Sequence, residues 1–148
     1  MIQEVHRGSC HCGAIRFEAT LADGFATNRR CTCSICRMRG AVTAALGRLR
    51  ILQGEDVLTS YRFNTNVAEH FFCSICGIYT HHRRRSNPDQ FVVNIACLKG
   101  VSPFDFAEVP VTDGVNHSSD TRRPSTRLGT LRFEGVEASF ARIRRRAI

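Results

Sequence analysis

Seven of the eight cysteines in this 148-residue chain stand in three tight groups. Cys10-His11-Cys12 comes first, Cys31-Thr32-Cys33-Ser34-Ile35-Cys36 follows, and Cys73-Ser74-Ile75-Cys76 lies near the middle. Cys97 stands alone. Thiols this close in sequence rarely bridge one another without strain, yet they fit around one small cation. The opening residues MIQEVHRGSC lack the apolar run of a secretory signal, so a cytoplasmic chain is expected. There thiols stay reduced or hold metal, and zinc is the ion that all-sulfur tetrahedral sets take.

The repeated Cys-Ser-Ile-Cys allows two partitions. Cys33, Cys36, Cys73 and Cys76 can form one zinc ribbon, which strands Cys10, Cys12 and Cys31. Alternatively Cys10, Cys12, Cys73 and Cys76 share one zinc, and Cys31, Cys33 and Cys36 form a local trio. Gly13 after Cys12 and Gly77 after Cys76 favour the second. A glycine there permits the left-handed turn that brings amides near sulfur, and Arg37 after Cys36 does not.

On that partition the four-sulfur site is structural and fastens the start of the chain to its middle. The trio leaves a fourth vertex open, the layout of a catalytic zinc. Three thiolates make zinc a weak Lewis acid toward oxygen and a good seat for an incoming thiol. The alternative is closure by Cys97, His70, His81, His82 or His117. Cys97 reads as a small buried hydrophobe within an apolar run. Strand alternation puts His70 on the face opposite Cys73, and His11 away from the ion its flanking cysteines bind. His81-His82 could supply a base, but among Arg83–Arg85 they read as surface. A redox role for the trio is the weaker alternative, since its CxxC is not set in a βαβ pattern.

These side chains need short rigid elements to hold them. Strands are expected over 14–21, 41–46, 49–52, 58–63, 67–72 and 91–98, with a hairpin turn at Asn64-Thr65-Asn66. One helical turn is expected over 34–39, and no long window has a 3.6-residue period. The prediction is a single mostly β domain over 1–148, with a polar loop at 109–126 forming a lid or rim. An arginine-rich tail over 141–146 reads as solvated. With 43% hydrophobic and 23% charged residues, wholly disordered and collagen-like classes are excluded.

The formal charge is +8, and all 21 basic residues but Lys99 are arginine. Anionic partners are admitted. Nucleic acid is disfavoured, because aromatics are only 8% and arginines gather only at 83–85 and 142–146.

The stretch Gly8-Ser9-Cys10-His11-Cys12-Gly13-Ala14-Ile15-Arg16-Phe17 resembles the opening of the glutathione-dependent formaldehyde-activating enzymes, the family that includes centromere protein V. Cys31–Arg37 resembles its second motif and Phe72–Gly77 its third, so the likeness spans about residues 5 to 110. Thr32 stands where many members have histidine, and tryptophan is absent. The resemblance implies an Mss4-like fold of twisted sheets. It implies a structural zinc on Cys10, Cys12, Cys73 and Cys76, and a labile catalytic zinc on Cys31, Cys33 and Cys36. The expected activity is a carbon–sulfur lyase or synthase joining a thiol, such as glutathione, to a small aldehyde such as formaldehyde. Arg37 and Arg39, just after the trio, are the candidates for gripping glutathione carboxylates. The alternative is a zinc-held β scaffold that binds nucleic acid or an acidic partner without catalysis.

Overall fold

The structure is a computed structural model and describes residues 3–136. Among the described residues ten strands carry the fold: β1 (Val5–Ser9), β2 (Arg16–Phe25), β3 (Arg30–Cys31), β4 (Thr43–Gln53), β5 (Leu58–Tyr61), β6 (Glu69–Cys73), β7 (Tyr79–Arg83), β8 (Phe91–Asn94), β9 (Glu108–Thr112) and β10 (Arg127–Arg132). Two short helices, α1 (Ser34–Arg39) and α2 (Ser118–Thr121), accompany them. The chain is mostly β, and its antiparallel sheet with cysteine-bearing turns is of the Mss4-like type.

Seven strands form one antiparallel sheet in the order β1-β2-β4-β8-β7-β6-β5. A smaller sheet runs β10-β9-β3, with β3 parallel to β9 through Cys31 opposite Thr112. Alternation in β2 sends Phe17, Ala19 and Leu21 into the core, where they meet Ala44, Val93 and Ile95. β8 is central, and both Val92 and Val93 are fully buried.

Several expectations change. The two strands expected over 41–46 and 49–52 are one long strand, β4, because pairing with β2 carries the backbone through Gly47 and Arg48. The run 91–98 is strand only to Asn94. Its side chain then accepts from Ala96 N and starts a 3-10 turn over Ile95–Cys97. Val109–Thr112 are strand, not loop, despite Pro110, because β10 and β3 flank them. β1, β3, β7, β9 and β10 had no counterpart among the expected strands. The arginine-rich tail lies outside the described residues. Among the described residues, no helix is long and apolar enough to cross a membrane.

Candidate metal centres and the cleft beside them

The first centre joins two matching turns. Cys10 precedes β2, and its backbone N–H donates to Ile15 O at 3.2 Å, while Gly13 N–H donates to Cys10 O. Cys73 ends β6 and repeats the pattern: its N–H donates to Ile78 O at 3.0 Å, and Gly77 N–H donates to Cys73 O. Gly13 (φ +78°) and Gly77 (φ +74°) take the left-handed conformation that closes each turn. Ile15 N–H points at Cys10 Sγ, 3.3 Å away. The N–H groups of Cys12 and Ile78 hold the Cys76 thiol down to about 6.

The four sulfurs of Cys10, Cys12, Cys73 and Cys76 lie within 4.8 Å of one another. Cys10 and Cys12 sulfurs are 3.6 Å apart, and Cys12 and Cys73 sulfurs 3.8 Å. A tetrahedral zinc with bonds of about 2.3 Å sets its sulfurs roughly 3.8 Å apart, so the donor set fits zinc. Cys10 and Cys73 are buried, and His11 is exposed and outside the group.

The second centre gathers Cys31, Cys33 and Cys36, whose sulfurs also lie within 4.8 Å of one another. Cys31 is fixed by β3, Cys33 is the residue before the first turn of α1, and Cys36 lies on that turn. Cys33 N–H donates to Cys31 Sγ at 3.4 Å. Contact first with Cys31 and then with Cys36 holds the Cys33 thiol well below its ordinary range. The same contacts drive Cys36 up, so further ionisation of the trio calls for a cation. Among the described residues, no fourth Cys, His, Asp or Glu joins the trio's group.

Gly114 packs directly onto this trio. A Cβ there would overlap Cys31 Sγ and sit 2.7 Å from Cys33 N. Gly114 N–H in turn donates to Thr32 Oγ1 at 3.0 Å, and Thr32 N–H donates to Thr112 O at 3.2 Å. Thr32 is therefore the hook that holds the segment after β9 against the cysteines.

The trio lines a cleft of about 480 Å³. His70 and His82 from the large sheet form one wall, and residues 112–118 another. His70 faces this cleft rather than the four-sulfur group, as strand alternation requires. His82 lines it too, whereas its neighbour His81 lies between Phe71 and Phe91 with 3% exposure. The expectation that His81-His82 are surface is overturned, since β7 is an inner strand that buries His81 on one face and leaves His82 half-buried on the other. Burial holds His81 down to about 4, and burial with nearby His70 and Arg39 keeps His82 uncharged as well. His117 Nδ1 accepts from Ser119 N–H at 3.1 Å, capping α2. Cys97 is buried beside Tyr79 O, and burial pushes its thiol up to about 12.

Arginines converge on the same cleft. Arg37 lines it, as does Arg29 just before β3, and so do Arg84 and Arg85, which lie far from the trio in sequence. Arg85 is paired with Asp120, Nη1 to Oδ2 at 2.9 Å, tying α2 to the end of β7. Arg84 is half-buried and donates only to neutral Gln90 and Ser86 side chains. Burial, and then the charge of Arg29, lowers its pKa. Among the described residues, no carboxylate pairs with Arg29 or Arg84. Arg39 does not line the cleft. It stacks on Tyr79, with its guanidinium carbon 3.6 Å from the ring centroid.

A mostly antiparallel β chain with two cysteine clusters, one of four sulfurs and one of three, defines a class of zinc-compatible, Mss4-like proteins. Within it, the chain belongs to the glutathione-dependent formaldehyde-activating enzyme family, whose family model matches residues 5–109. A crystal structure of a Rhodobacter sphaeroides protein is similar at 54% identity and a TM-score of 0.70. The match covers 72% of this chain and 99% of that one. The segment carrying Gly114 lies beyond the family match.

Proposed function

We propose that this protein is a carbon–sulfur lyase or synthase that joins a thiol, glutathione or a close analogue, to a small aldehyde such as formaldehyde. In this reading Cys10, Cys12, Cys73 and Cys76 hold a structural zinc, and Cys31, Cys33 and Cys36 hold a catalytic one. The observation that carries it is a three-sulfur group on the wall of a cleft of about 480 Å³, with no fourth protein donor in that group among the described residues. When bound there, zinc supplies an open coordination position that binds a thiol and lowers its pKa.

The chain's own residues do the rest. Arg29 and Arg84, which pair with no carboxylate among the described residues, bind a carboxylate of the thiol substrate in two-pronged fashion. Residues 112–118 wall off one side of the cleft and limit the entry of water. With thiol and aldehyde held together, the attack becomes effectively intramolecular. No membrane partner enters this reading.

The test is the rate of S-hydroxymethyl adduct formation with zinc-loaded protein, set against the uncatalysed addition. Acceleration that disappears in Cys33→Ser supports the assignment. A rate equal to background sinks it.

A further inference from the structure

His70 is 4% exposed, yet it lines the trio's cleft. Its ring stacks against Phe63 and lies 4.9 Å from the ring of His82. Arg39 Nη1 lies 3.2 Å from His70 Nδ1. Guanidinium has only donors, so Nδ1 must accept. Burial, and then the charge of Arg39, holds His70 down to about 4, so the neutral ring carries its one proton on Nε2. Arg39 is itself fixed by its stacking on Tyr79, whose hydroxyl meets His82 Nδ1 at 2.5 Å. Among the described residues no hydrogen bond engages Nε2–H, so it is the donor edge of His70 left for a ligand.

We infer that His70 Nε2–H is the hydrogen-bond donor that stabilises the oxygen of the aldehyde as the carbon–sulfur bond forms, and that Arg39 is the positioning residue that fixes its tautomer. The inference rests on the proposed thiol–aldehyde reaction. The thiol proton leaves to solvent. A sulfur lone pair then forms the bond to carbon while the C=O π pair moves onto oxygen. That oxygen carries the negative charge until it takes a proton from water. A donor already in place there acts on the charge as it develops. Donation from Arg39 into Nδ1 polarises the ring and strengthens Nε2–H.

The experiment uses full-length, zinc-loaded protein with glutathione and formaldehyde, with zinc content and near-UV circular dichroism verified for every variant. His70→Phe is expected to lower kcat about 100-fold with little change in KM for glutathione. His70→Gln, whose amide nitrogen stands where Nε2 does, should restore most of that loss. Nitrogen-15 NMR of labelled histidine, with His70 assigned through its variants, should show the Nε2–H tautomer in the wild type and a mixture in Arg39→Met. Equal loss in Phe and Gln, no loss in either, or an Nδ1–H tautomer in the wild type would overturn the assignment of His70 while leaving the reaction itself standing. A wild-type rate at background would overturn both.

Discussion

Gly114 lies against Cys31 so closely that any side chain at position 114 would occupy the sulfur's space. The relationship joins two segments 83 positions apart in the chain, through the parallel pairing of β3 with β9. It makes the backbone after β9 a wall of the three-sulfur centre. The expected result for Gly114→Ala is selective loss of metal from the trio, leaving one zinc per chain by elemental analysis. Retention of two zincs at unchanged affinity would show that the trio does not need this close approach.

Thr32 holds that wall in place by accepting from Gly114 N–H. Thr32→Val keeps the shape and removes the acceptor. One such hydrogen bond contributes about 1 kcal/mol, so affinity for the more weakly held zinc should fall about 5-fold. Competition with a chromophoric chelator measures it. Affinity for the other zinc should stay unchanged, because its four cysteines belong to different turns.

The two centres should also release metal in order. Four sulfurs, two of them from the buried Cys10 and Cys73, would clamp the first turn to the sixth strand through their ion, whereas the trio offers its ion only three. A graded chelator titration is expected to remove the trio's zinc first with little change in near-UV circular dichroism. Loss of the second zinc should then unfold the chain, because metal binding at a structural site is folding free energy. Unchanged near-UV signal after verified removal of both zincs would contradict the structural role.

Arg84→Met tests the charge complementarity of the cleft. Loss of a charge-assisted pair to carboxylate is expected to raise KM for glutathione about 10-fold. The KM for an uncharged thiol such as 2-mercaptoethanol should not move. Parallel changes for both thiols would mean that Arg84 supports the wall and not the substrate.

Much of this arrangement was legible in the residues themselves. Phe17, Ala19 and Leu21 announced β2 by alternation, and Gly13 and Gly77 pointed to the paired turns whose left-handed geometry the structure contains. What stayed hidden depended on partners far away in sequence. β7 reads Tyr-Thr-His-His-Arg, a polar run, and becomes an inner strand only because β6 and β8 flank it. Adjacent His81 and His82 then take opposite environments, one among phenylalanines and one on the cleft. Arg39, three residues after Cys36, is drawn away by Tyr79, while Arg84 reaches the cleft from the end of β7, which no local pattern links to the trio.

The most direct measurement is zinc K-edge X-ray absorption on full-length protein of verified metal content, without and with glutathione. The account predicts two zincs per chain, averaging about 3.5 sulfurs each without thiol and about 4 with it. A sulfur count that is the same in both conditions, or a single zinc bound per chain, would contradict it.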